Sequence, residues 1–151
     1  MGLDMYLYRY TFVSEHWGGT VGSINWEGEP DKEQQAIDPK RIKYIVEEVA
    51  YWRKANAIHR WFITFVQEGE DECLTAYVAR EQLQELLALT EEVLHHRDPE
   101  VAAELLPTQG GFFFGSTDYD EWYWKDLEYT RDTLKQILEE PSEDFRYHSS
   151  W

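Results

Sequence analysis

Residues 51–62, Tyr-Trp-Arg-Lys-Ala-Asn-Ala-Ile-His-Arg-Trp-Phe, crowd three cations, an asparagine and a histidine among two tryptophans. A surface helix would carry Glu and Lys at such positions, and a core helix Leu and Val. The composition therefore points to polar groups organised on a mostly apolar face. At 100° per residue His59 falls inside the apolar sector, with Trp52, Asn56 and Ile63 beside it, while Arg53, Arg60, Thr64 and Gln67 turn to solvent. Asn56 and His59 then need hydrogen-bond partners, because an unpaired buried polar group costs about 1–3 kcal/mol. Two readings follow. The commoner use of such a pair is a structural network tying the helix to a strand or a tyrosine. The alternative makes Asn56 and His59 the floor of a pocket walled by Trp52, with Arg53 or Lys54 near a helix N-terminus holding a carboxylate or phosphate.

Residues 117–126, Thr-Asp-Tyr-Asp-Glu-Trp-Tyr-Trp-Lys-Asp, form a complementary cluster. Their acids have the chemistry of general bases, metal ligands or ion-pair partners for Arg53 and Lys54. Acids also belong at a helix N-terminus, where the dipole is positive. Two neighbouring carboxylates with no further ligands at metal spacing do not make a metal site, so no metal and no cofactor are expected. The run from Tyr119 through Asp120, Glu121 and Trp122 to Tyr123 cannot bury every ring on one helical face. Exposed rings beside acids suit a cationic ligand or a protein contact. The candidate binding residues are thus Trp52, Arg53, Asn56 and His59 on one side and Tyr119, Asp120, Glu121, Trp122 and Tyr123 on the other. None forms a catalytic arrangement.

Other patterns are negative. Gly18-Gly19 and Gly110-Gly111 lack the lysine and strand–helix setting of a phosphate loop. His95 and His96 are adjacent rather than four apart, and no serine sits in a nucleophile elbow. Cys73, the single cysteine, excludes an internal disulfide and a thiolate zinc site; before Leu-Thr-Ala-Tyr-Val it reads as a small buried residue of a strand. Gly2 lacks the Ser or Thr that myristoylation needs.

Thirty acids against 14 bases give a formal net charge of −16, a field that repels nucleic acid and anionic membrane and attracts basic partners. Without a signal peptide or an apolar run of spanning length, a cytoplasmic protein is expected. At 151 residues the chain fits one domain able to bury a core without staples, residues 1–151 with a weakly patterned tail from about 141.

The positioning elements follow from periodicity. Residues 3–13 partly alternate and are rich in aromatic and β-branched types, which predicts a strand. Residues 14–38 read as a long loop with a short strand over 21–26. Asp38-Pro39 is a good helix start, and Ile42, Ile45, Val46 and Val49 recur at helical spacing, although Ile42, Tyr44 and Val46 also permit a strand. A helix from Trp52 to about Gln67 presents Ala55, Ile58, Phe62, Phe65 and Val66, with a break near Tyr51. A strand over 73–78 follows, then an amphipathic helix over 80–96 striped by Leu83, Leu86, Leu87, Thr90, Val93 and Leu94, and a short helical piece around 100–106. Gly110 to Ser116 reads as an apolar extended segment. Asp118 with Glu121 resembles a capping box opening a final helix to about Glu140, stopped by Pro141. The expected class is α+β, a small antiparallel or mixed sheet packed against three or four helices.

Three segments together, Met1 to Leu7 (MGLDMYL), Tyr51 to Phe62 (YWRKANAIHRWF) and Phe112 to Tyr123 (FFFGSTDYDEWY), resemble a family of small uncharacterised proteins encoded by bacteriophages and bacterial genomes. The resemblance spans most of the chain and implies a bacterial cytoplasm and a mobile-element role, but no activity. The leading functional expectation is a non-enzymatic, phage-type interaction protein that binds a basic host or defence protein through its acidic, aromatic-rich surface, as an inhibitor or DNA mimic. The alternatives are a small-ligand-binding protein or enzyme with a pocket between the 52–67 helix and the 117–126 segment, and a soluble domain with no site. Oligomeric state is not readable.

Overall fold

Leu3, Met5 and Leu7 alternate with Tyr6 and Tyr8, and this period of two builds the first strand, β1 (Asp4–Phe12). The computed structural model describes residues 2–13 and 39–151, so the strand expected within 14–38 lies outside the described residues. β1 pairs antiparallel with β2 (Tyr44–Arg53) on one side and β4 (Phe145–Ser150) on the other, and β3 (Ala76–Val78) pairs antiparallel with β4. The sheet order is β2-β1-β4-β3. Among the described residues four α-helices complete an α+β fold: α1 (Asn56–Phe65), α2 (Arg80–His96), α3 (Pro99–Leu105) and α4 (Glu121–Glu139). Among the described residues no helix is long and apolar enough to cross a membrane.

Several expectations need correction. The helix expected after Asp38-Pro39 is only a single 3-10 turn at Pro39–Arg41, and residues 44–53 form β2. The reason is a bulge: the register with β1 slips between Leu7 and Tyr8, so Leu7 faces Ala50 while Tyr8 faces Glu48. An extra residue, Val49, shifts the alternation by one and leaves the apolar residues at a mixed spacing that imitates a helix. β2 also takes Trp52 and Arg53 from the expected helix. The break falls at Lys54, not Tyr51, and Phe65, placed on the inner face, is 58% exposed. Cys73 is not in a strand; it is half-buried in the preceding turn with φ of 54°. Asp120 rather than Asp118 caps α4, its carboxylate accepting the amides of Trp122 (3.0 Å) and Tyr123 (3.2 Å). Gly110 to Ser116 contains turns but no strand.

The largest correction is the tail. Residues 145–150 are an inner strand, with Phe145, Tyr147 and Ser149 buried and Arg146 and His148 on the opposite face. The Tyr147 ring lies parallel to Phe62 at 4.0 Å between centroids, and Trp52 packs on Phe62 at 6.0 Å. α1 and α4 thus cover one sheet face. Trp52 Nε1 donates to Thr130 Oγ1 on α4 at 2.8 Å, fixing α4 over β2. α2 lies along α4 and buries the striped residues Leu83, Leu86, Thr90, Val93 and Leu94. The outer sheet face carries clustered tyrosines, with Tyr6 5.9 Å from Tyr8 and 5.3 Å from Tyr51.

Candidate functional site between α1 and α4

The connection from β2 into α1 is unusual. Lys54 occupies the left-handed region with φ of 58°, a conformation that costs an L-residue with a Cβ about 1–2 kcal/mol. The turn drops the chain from strand to helix within two residues. Gly115, at φ of 82°, lies against it; a Cβ there would meet Lys54 Cβ at 3.3 Å. The segment 109–116 is fixed by Asn56. Its Nδ2 donates to the carbonyls of Phe114 (2.9 Å) and Ser116 (2.8 Å), and its Oδ1 accepts the amide of Gln109 (3.0 Å). One asparagine at the start of α1 therefore anchors a loop nearly sixty residues away.

Between these parts lies a cavity of about 380 Å³. Arg53, Lys54 and the first turn of α1 form one wall; Asp118, Asp120, Trp122, Tyr123 and Asp126 form the other, with Thr108, Gly115 and Ser116 between. α1 begins without a side-chain cap, at Ala55. Asn56 N bonds Lys54 O and His59 N bonds Ala55 O, which leaves the amides of Ala57 and Ile58 without a protein acceptor among the described residues. Both residues line the cavity. This wall supplies N–H donors, the positive end of a helix and two cations.

The facing wall is negative. Asp126 sits beside the apolar stripe of α4 formed by Tyr123, Leu127 and Thr130. Burial, with the nearby Asp120 carboxylate adding to it, pushes its carboxyl up to about 7. Its side chain has no hydrogen-bond partner among the described residues. Arg53 and Lys54 take no part in that shift, and neither makes an ion pair with Asp118, Asp120 or Asp126. Among the described residues Arg53 has one acidic contact, Asp4, at a loose 4.0 Å. Opposite charges thus share one cavity without closing on each other.

The structure brings together five of the nine sequence candidates: Arg53, Asn56, Asp120, Trp122 and Tyr123 all line the cavity. Asn56 has its polar atoms committed to the loop, and Tyr123 donates its hydroxyl to Leu106 O at 2.8 Å, with burial raising its ionisation far above the ordinary range. Trp122 is 71% exposed at the rim, with the Lys125 ammonium 5.0 Å from its ring.

The other four lie elsewhere. Trp52 is bound to Thr130 in the core. Tyr119 stacks edge-on to Tyr123 at 4.9 Å, and its hydroxyl accepts the Thr108 amide at 3.3 Å. Glu121 is exposed and pairs with Lys125 at 2.6 Å. His59 is fully buried between Tyr147, whose hydroxyl is 2.7 Å from Nδ1, and Asp71, whose Oδ2 is 2.9 Å from Nε2. Burial lowers the His59 pKa against the smaller opposing pull of Asp71. The neutral ring then donates from Nε2 and accepts from Tyr147 at Nδ1. Trp151 Nε1 donates to the other oxygen of Asp71 at 3.0 Å, closing a structural network that ties α1 to β4 and the C-terminal residue.

The candidate set omitted Asp126 and Lys54. Asp126 carries the same signal that singled out His59, a titratable residue set beside a helix's apolar stripe. Among the described residues no group of three or more His, Cys, Asp or Glu is placed to hold a metal ion. No protein-family model, curated protein or solved structure matches this chain.

Proposed function

We propose that this protein binds a metabolite-sized ligand in the cavity between α1 and α4, with an oxyanion of the ligand on the Ala57 and Ile58 amides and on Lys54 and Arg53. The observation that carries this reading is the convergence on one concave space of two helix N-terminal amides without a protein acceptor, two cations and the Asp126 carboxyl. Asn56, His59 and Trp52 have their side-chain polar atoms paired within the protein. Groups left open around a cavity of ligand size have the opposite character. A perturbed carboxyl at such a place is a mark of sites rather than of packing. A thermal-shift screen with nucleotides, sugar phosphates, amino acids and peptides tests the reading. A ligand that raises Tm in the wild type and fails with Lys54→Met supports it; no shift with any of these classes refutes it.

A second reading keeps the surface as the functional part: an acidic interaction protein of phage type that docks a basic host or defence protein. The net charge of −16 favours it. On α4, however, the acids alternate with cations of the same chain, Glu121 with Lys125, Asp132 with Arg131 and Glu128 with Arg97, so that helix is not a continuous phosphate-like array. Competition with DNA for a basic host protein, weakening as salt is raised, is the outcome this second reading requires.

A further inference from the structure

We infer that the ligand of this cavity is a zwitterion with separated charges, an oxyanion at the Lys54 wall and an ammonium at the Asp126 wall, in the class of short peptides, ω-amino acids and aminoalkyl phosphates. The inference rests on the ligand-site reading above and narrows it. A simple anion seated against Lys54 and Arg53 would share a cavity of about 380 Å³ with Asp118 and Asp120, and with an Asp126 that ionises near 7. A simple cation at Asp126 would face two cations and a helix N-terminus. A molecule carrying both charges satisfies both walls at once.

The spacing argues for separated rather than adjacent charges. Lys54 and Arg53 make no ion pair with Asp126, although all three line the same cavity, so a gap wider than salt-bridge distance separates the charges. The two charges of a bound molecule must span that gap, which an α-amino acid with its ammonium one carbon from its carboxylate does poorly. The cavity is at the small end of ligand sites and excludes a dinucleotide. Ala57, Ile58 and Leu127 add apolar lining suited to a methylene or peptide linker.

A molecular ruler tests this. The probes are unbranched ω-amino acids from glycine to aminooctanoate, a set of dipeptides and phosphoethanolamine, each titrated into the full-length protein by calorimetry and amide NMR. The expected result is an affinity maximum at intermediate charge separation, lost about tenfold or more when the amine is acetylated or the acid is esterified. Asp126→Asn should weaken the free amine and leave its acetylated analogue unchanged; Lys54→Met should do the converse with the ester. Peptides against aminoalkyl phosphates separates the two sources of the same chemistry. Equal binding of capped and uncapped compounds, or acetate or inorganic phosphate binding as tightly as the best zwitterion, overturns the proposal. If nucleotides or sugar phosphates bind in the cavity and no zwitterion does, the zwitterion inference alone fails; if nothing perturbs the Ala57 and Ile58 amides, the ligand site fails with it.

Discussion

Replacing Asp126 by asparagine should stabilise the protein at neutral and alkaline pH and do little in acid. The side chains are nearly isosteric, so the perturbation is the charge. In the folded protein the carboxyl titrates near 7, against 3.8 when unperturbed. Between those values the folded chain holds a proton that the unfolded chain has released, so the folded state loses stability as pH rises from about 4 to 7 and does not recover it above. A shift of this size corresponds to at most about 4 kcal/mol. Asp126 is only partly enclosed and water reaches the cavity, so a realistic gain for Asp126→Asn at pH 8 is about 1–2 kcal/mol, or about 2–8 °C in Tm. Urea unfolding of wild type and variant from pH 5 to 8.5 measures it. The difference between the two isolates this carboxyl from the other acids and should widen steadily up to pH 7 and then level. A difference that stays flat within about 0.5 kcal/mol across the range would mean that Asp126 is an ordinary solvated carboxylate and that the negative wall has been misread.

Other outcomes follow from the same geometry. Lys54→Gly trades a strained left-handed residue for one at ease there; the relief of about 1–2 kcal/mol against a glycine entropy cost of about 0.5–1 leaves stability equal or slightly higher, while binding is lost, and chemical denaturation beside a ligand titration checks both. Asn56→Ala removes three hydrogen bonds to the 109–116 segment and should cost about 2–4 kcal/mol, with amide exchange rising first at Gln109. His59, whose pKa burial lowers, contributes stability that is complete above its unfolded value of 6.5 and declines below it as the unfolded chain takes the proton; a ring-nitrogen titration should give a midpoint below 6.5. Gly115→Ala should cost about 1–2 kcal/mol and displace Lys54, weakening binding as well, by the same two assays.

Much of the scaffold can be read from residue order alone, because its signals are local. The stripes of α2 and α4 and the alternation of β1 each repeat within a single element. β2 is harder because the bulge at Val49 breaks its period, and the correction comes from the register with β1, a strand more than thirty residues away. β4 is harder still: six residues with a serine on the inner face give little apolar contrast, and only pairing with β1, opposite Met5, makes Ser149 a buried position.

The site divides in the same way. That Asn56 and His59 turn inward follows from helical angle, but their partners, backbone carbonyls of the 114–116 segment and the side chains of Asp71 and Tyr147, are set by tertiary contacts. The segments 51–62 and 117–126 do meet across a cavity, yet the polar groups left open there are Lys54, Asp126 and two backbone amides rather than the histidine. A backbone amide has no residue type to betray it.

The most direct test of the central claim is an amide NMR titration with a hit from the zwitterion series, followed at Ala57, Ile58 and Trp122. Saturable shifts concentrated at these three positions are expected, absent in Lys54→Met and much reduced in Asp126→Asn. Saturable binding whose shifts fall elsewhere, or shifts that persist unchanged in both variants, would contradict it.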